Sequence, residues 1–235
     1  MYLAEKLDPQ PRYAIYYSPE AQTPILSLGT VLIGRDALSD RLVEPRHSVA
    51  VTELERQALT ATPAHYGLHA TMKAPFQLRN GYGYEDLRQH MLEFCGRRRA
   101  FSLPRLVLKN MDDFVALVAQ SPSESLNRLA QDCVEEFDEF RQAMTPYELS
   151  LRKSTPMTRQ QYEYLHKWGY PYVMETYRFH ITLSNRTFRD QCDRVMAGLG
   201  PALEQVNARG VEFDGLCLFY QEGRDRPFVF LERFP

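Results

Sequence analysis

Tyr66-Gly67-Leu68-His69-Ala70-Thr71-Met72-Lys73 and Tyr177-Arg178-Phe179-His180-Ile181-Thr182-Leu183-Ser184 share one pattern: tyrosine, any residue, apolar, histidine, apolar, threonine, apolar, polar. A period of two marks a β-strand, in which successive side chains alternate between faces. On that reading Leu68, Ala70 and Met72, and Phe179, Ile181 and Leu183, point into a core. His69 with Thr71 and His180 with Thr182 then lie on the other face. Two imidazoles and two hydroxyls can converge on one cleft. Lys73 and Ser184 are expected to extend those faces by one position, and Arg178 to precede His180 on the same side. Gly67 stands where the second copy has Arg178, so the cleft is expected to be asymmetric. Tyr66 and Tyr177 fall on the opposite, packing face.

The surroundings of the motifs repeat as well. After His69 the pattern predicts a helix over 84–95, with Leu87, Met91, Phe94 and Cys95 on one face, and then strands over 101–108 and 114–118. After His180 it predicts a helix over 188–199, stopped by Gly200-Pro201, and strands over 211–220 and 227–234. Two copies of a short motif inside matching frames point to a duplication. Elsewhere a strand is expected over 12–17, after an arm at 1–11. Helices are expected over 52–60, with Pro63 beyond the end, over 123–144 and over 158–168, with a polar connector at 146–156. The run Leu26–Ile33 is apolar but interrupted by Gly29, and it receives no assignment. The expected organisation is one two-lobed domain over 1–235, with repeats at about 64–120 and 175–235 and a helical insertion at about 123–170.

Lys plus Arg number 28 and Asp plus Glu 30 in 235 residues, a formal net charge of −2. That balance argues against a protein that coats long nucleic acid and favours a small phosphorylated substrate. Four widely spaced cysteines with no CxxC pair read as reduced thiols. No apolar run approaches the ~20 residues that span a bilayer, and no signal peptide is visible, so no membrane contact and a cytoplasmic location are expected.

Cleaving a phosphodiester with water needs a base for the water proton and an acid for the leaving oxygen. Histidine, with an ordinary pKa of ~6.5, serves in either role. Thr71 and Thr182 can donate hydrogen bonds to the non-bridging oxygens, and Lys73, Arg178 and Ser184 are candidate substrate-binding residues beside them. No metal or cofactor is expected. His65 and His69 have the i, i+4 spacing of a helical metal site, but Pro63 and Gly67 argue against a helix there. His47, His90 and His166 read as surface or packing residues. No P-loop, GxGxxG or GxSxG motif is present.

With His69-x-Thr71 and His180-x-Thr182 in hand, the chain resembles the 2H phosphoesterase superfamily over about residues 12–234. The fuller contexts, Tyr-Gly-Leu-His-Ala-Thr-Met-Lys-Ala-Pro-Phe and Tyr-Arg-Phe-His-Ile-Thr-Leu-Ser, look like its branch encoded with phosphonate-degradation genes. The resemblance implies an α+β bilobal fold, with two antiparallel sheets facing a central cleft and helices outside. It implies metal-independent hydrolysis of cyclic or 2′,5′-type phosphodiesters, with His69 and His180 as the catalytic pair and Thr71 and Thr182 holding the phosphate. The branch implies a ribose cyclic phosphate, for example 5-phosphoribosyl 1,2-cyclic phosphate. Ala70 and the 123–170 insertion depart from the commonest pattern and bear on the shape of the cleft. Two other readings stand beside this one: an RNA-end enzyme acting on 2′,3′-cyclic or 2′,5′-linked ends, and a non-catalytic module that binds a phosphorylated ligand.

Overall fold

The computed structural model describes residues 11–44, 52–152 and 156–235. Most of the expected arm at 1–11, together with His47, lies outside the described residues. The fold is α+β and centres on one antiparallel sheet. Its strands are β1 (Arg12–Tyr17), β4 (Ala70–Phe76), β6 (Leu106–Asn110), β7 (Val115–Ala119), β8 (His180–Thr182), β10 (Leu216–Gln221) and β11 (Val229–Phe234). They are ordered β11-β10-β1-β4-β8-β7-β6. Two short ribbons stand apart: β2 (Arg35–Asp36) with β3 (Arg41–Leu42), and β5 (Phe101–Ser102) with β9 (Glu212–Phe213).

The motif strands β4 and β8 are therefore neighbours, paired at Ala70↔Ile181, rather than members of two separate sheets. The duplicated frames interleave around them. The hairpin β6–β7, which follows the first motif in sequence, pairs with the strand of the second. The hairpin β10–β11, which follows the second motif, pairs with β1 beside the first. Each repeat thus supplies strands to the other's half of the sheet.

One face of the sheet carries the main core. Leu68, Ala70, Met72, Phe179, Ile181 and Leu183 are all buried in it, as the alternation predicts. The helices are α1 (Pro24–Ile33), α2 (Glu53–Tyr66), α3 (Tyr84–Gly96), α4 (Glu124–Glu136), α5 (Pro146–Arg152), α6 (Arg159–Trp168) and α7 (Arg189–Arg209). Among them α4 packs on β4, α7 on β6 and β7, and α3 on β11. The other face carries a smaller cluster of Ala14, Tyr16, Ala37, Cys217, Phe219 and Phe228.

Five helices differ from the sequence expectation, four of them for a packing reason. Helix α1 includes Gly29 because a Cβ there would stand 2.3 Å from Leu68 Cδ1; the glycine admits the leucine beside the first histidine. Helix α2 runs on through Pro63 to Tyr66. A proline leaves the carbonyl four residues earlier without its usual partner. Here the Leu59 carbonyl accepts the Asn185 N–H at 2.5 Å, while the Asn185 side chain bonds Thr62 N–H and the Ala58 carbonyl at 2.9 and 2.7 Å. Helix α7 likewise passes through Gly200-Pro201, because its buried stripe of Cys192, Val195, Leu199, Leu203 and Val206 continues unbroken. Helix α4 is shorter than expected: the chain turns into a 3-10 segment at Asp138–Phe140 that buries Phe140 beside Phe137. The expected polar connector contains the short helix α5. Among the described residues no helix is long and apolar enough to cross a membrane.

Candidate active site

The Ala70↔Ile181 register brings the two motifs face to face in a crossed arrangement. Thr71 lies across from His180, and His69 across from Thr182. The histidines are then diagonal neighbours, with Cβ atoms roughly 7 Å apart by ordinary sheet geometry. All four side chains are half-buried. Phe114 flanks His180 with ring centres 6.2 Å apart, and Ala116 pairs with Thr182.

Both imidazoles are held in the same way. His69 Nδ1 lies 2.9 Å from the Gly67 carbonyl and His180 Nδ1 lies 2.8 Å from the Arg178 carbonyl, each two residues upstream. A carbonyl only accepts, so Nδ1 carries the proton in each ring and Nε2 is the nitrogen left for chemistry. The glycine is needed for the first of these contacts. Gly67 caps α2 with φ +78°, where a Cβ would stand 2.3 Å from the Ala37 Cβ. That turn also sets Tyr66 apart from the regular alternation: its ring stands 6.0 Å from His69, on the histidine side. Tyr177 does face the core, and its hydroxyl points at Met72 Sδ at 3.5 Å.

The environments of the two histidines differ. Burial pushes the His69 pKa down to about 4, and the His180 charge adds to this, against the opposing pull of the Gly67 carbonyl. Its ring is stacked on Tyr16 with centres 3.9 Å apart. At neutral pH His69 is therefore uncharged, with the Nε2 lone pair available.

The flanking residues are not brought to the cleft as the alternation predicts. In β4, Ile15 pairs with Lys73 but Tyr16 pairs with Thr71, so Met72 is an extra residue and the strand bulges. The bulge turns Lys73 to the core face. There Nζ donates to the Val134 carbonyl at 2.9 Å and to Asp138 at 3.3 Å. The Ser184 hydroxyl is also committed, accepting from Val115 N–H and donating to the Asn185 carbonyl, both at 2.9 Å. The Arg178 side chain is exposed beside His180 and makes no hydrogen bond or ion pair among the described residues. Of the five residues expected to bind substrate, Thr71, Thr182 and Arg178 remain at the site.

His65 is helical, in the last turn of α2, and its Nε2 is 3.0 Å from the Gln221 side-chain amide; His69 lies beyond the Gly67 turn. Among the described residues no group of three or more His, Cys, Asp or Glu side chains is placed to hold a metal ion. A cavity of about 380 Å³ lies elsewhere, lined by residues that include Cys95, Arg98, Phe101, Arg128 and Phe213, and contains none of the motif residues.

A family model described as a protein of unknown function, DUF1045, matches residues 71–229, from Thr71 in the first motif to the start of β11. This chain belongs to the DUF1045 family. Relatives of this DUF1045 chain carry a more specific name. It is 34% identical over 229 residues to a "Ribose 1,5-bisphosphate phosphokinase PhnN" of Janthinobacterium sp. (strain Marseille), covering 95% of this chain and 50% of that protein. It is 31% identical over 216 residues to a protein of the same name from Laribacter hongkongensis (strain HLHK9), covering 89% and 48%. The chain thus spans about half the length of the curated relatives it matches. Among solved structures it is similar to the conserved protein of unknown function ATU0111 from Agrobacterium tumefaciens str. C58, with a TM-score of 0.43 and 13% identity over 100% of this chain and 92% of that one.

Proposed function

We propose that this chain is a phosphodiesterase of the 2H type that opens a small cyclic phosphate by two-histidine acid–base catalysis. The observation that carries this reading is the crossed quartet. Two imidazoles, each with Nδ1 tied to a backbone carbonyl and Nε2 without a hydrogen-bond partner among the described residues, stand diagonally across the paired strands, each opposite the other motif's threonine. His69, kept uncharged, takes the proton of the attacking water through Nε2. The water oxygen bonds to phosphorus as the ring ester bond breaks. His180, entering the step as the imidazolium, gives its Nε2 proton to the departing oxygen and keeps the one on Nδ1, and Thr71 and Thr182 donate to the non-bridging oxygens as charge builds there. Arg178, exposed beside His180, is suited to a further anionic group on the substrate.

The relatives' name supports a particular sugar. This chain has no GxxxxGK[ST] loop to cradle a nucleotide, so the kinase activity in that name is not carried over to it. What carries over is ribose bearing phosphates on C1 and C5. Opening 5-phosphoribosyl 1,2-cyclic phosphate by breaking the bond from phosphorus to O2 yields that bisphosphate. On this reading the substrate is that cyclic ester, as in phosphonate breakdown, and O2 is the leaving oxygen.

The test is phosphorus NMR of a panel of cyclic phosphates treated with purified protein in excess EDTA. Ring opening with phosphate retained on C1 is expected, as is its loss in His69→Ala and in His180→Ala. Full activity in either variant would overturn the acid–base pair. A product phosphorylated on C2 would overturn the choice of leaving oxygen. Preference for 2′,3′-cyclic RNA ends would favour the RNA-end reading. Tight binding of all panel members without turnover would favour a binding module.

A further inference from the structure

The sheet's approximate two-fold symmetry, which exchanges β4 with β8, also exchanges β1 with β7. Across from Thr71 on β1 stands Tyr16; across from Thr182 on β7 stands Ala116. The two histidines thus have equivalent backbone anchors but different neighbours. One lies against a tyrosine ring, 3.9 Å between centres and 27° between planes. The other has Phe114 at 6.2 Å and tilted by 59°, with no stacked partner among the described residues.

We propose that Tyr16 is the positioning residue that sets the division of labour between the histidines, clamping the His69 ring and keeping one of its faces dry. A single Nδ1 bond to the Gly67 carbonyl fixes one edge of an imidazole but lets the ring pivot about it. A stacked ring on one face removes that freedom and directs Nε2 to one place. Tyr16 is itself immobilised. It is fully buried, with Phe219 at 5.2 Å and Phe228 at 6.1 Å, and Tyr66 closes the wall by stacking on Phe228 at 5.2 Å. The titratable groups facing this pair are Tyr66 from α2, His180 from β8, Cys217 across from Tyr16 on β10, and, around the Tyr16 hydroxyl, Arg12 and Tyr170. No carboxylate is among them, so the dry stack meets no counter-charge that would favour an imidazolium. The low His69 pKa agrees with this geometry. The Tyr16 hydroxyl is buried without a hydrogen-bond partner among the described residues, so the working part in this proposal is the ring.

The proposal rests on the phosphodiesterase reading only for the word labour; the clamp itself can be read without activity. Nitrogen-15 NMR of the histidine rings in the full chain follows the protonation and tautomer of His69 directly. In the wild type and in Tyr16→Phe, which keeps the ring, His69 should remain neutral with the proton on Nδ1 at pH 5. In Tyr16→Met it should titrate at least about one pH unit higher, nearer the ordinary ~6.5. The same variant should lose about tenfold or more in kcat with little change in KM, while Tyr16→Phe stays close to wild type. An unchanged His69 titration in folded Tyr16→Met overturns the clamp. If that variant does not fold, the wild type decides: a His69 that titrates near 6.5, or exchanges tautomers, overturns it. A shifted titration in a protein that opens no cyclic phosphate would leave the clamp standing and remove the phosphodiesterase reading.

Discussion

Lys73 stands two positions past Thr71 and one bulge away from the site. Its pKa falls to about 8, burial being the main cause and Asp138 opposing it. Below about pH 8 the lysine is charged in both folded and unfolded chains, and its burial cost is fully present. Between about 8 and the ordinary 10.5 only the unfolded chain keeps the proton, so this residue adds stability as pH rises through that window. Lys73→Met should lose this pH trend; near neutrality the relief of the buried charge opposes the loss of the Val134 carbonyl's partner, while Asp138 keeps Arg141, so stability there should stay within ~1 kcal/mol of wild type. Turnover should change little, and thermal melts beside initial rates would show both effects. His69 gives the complementary prediction. As pH falls through about 4 the imidazole takes a proton and ceases to be a base, so the acid limb of kcat/KM should lie there. An acid limb near 6.5 in the rate profile would contradict that role.

At the scale of elements, helix α1 and helix α2 show packing overruling local preference. Gly29→Ala should gain ~1 kcal/mol in helix propensity but force Leu68, buried beside His69, to move. Overpacking of that kind costs ~1–3 kcal/mol, so the variant should melt lower than wild type rather than higher. Asn185→Ala should also destabilise, by ~1–3 kcal/mol in denaturant unfolding, because Thr62 N–H and the Ala58 carbonyl lose the side chain that serves them where Pro63 interrupts α2. These contacts explain why the helices at 24–33 and 61–66 were not legible in sequence: the deciding partner lies over a hundred residues away for Pro63, and in the turn between α2 and β4 for Gly29. The strand at 12–17 and the helix at 158–168 were legible to within a residue. Their signals are local, an aromatic β-prone run in one and the Thr158 capping box with the Gly169 stop in the other.

At the scale of the molecule, the duplicated frames exchange their hairpins. The chain up to the end of repeat one would leave β4 without β8 and β1 without β10; the remainder would leave β8 without both its neighbours. Fragments divided near residue 121 should therefore show no cooperative melting separately and should regain it when mixed, as circular dichroism would report. A cooperative transition in either fragment alone would show that the exchange is not needed for folding. The same sheet builds the site: it makes the motif strands neighbours and sets β1, with Tyr16, beside the first motif.

The sequence by itself determined the two motif strands, which of their side chains enter the core, and the His-Thr pairs on the opposite face. A period of two and matched surroundings carry that information locally. Only the tertiary structure decided that the two strands pair directly, that each histidine faces the other motif's threonine, and that Lys73 and Ser184 turn away. It also decided that Tyr16 lies on His69 while Ala116 stands in the corresponding place beside the other motif. Register, bulges and strand exchange are set by contacts between distant segments, and no local periodicity records them.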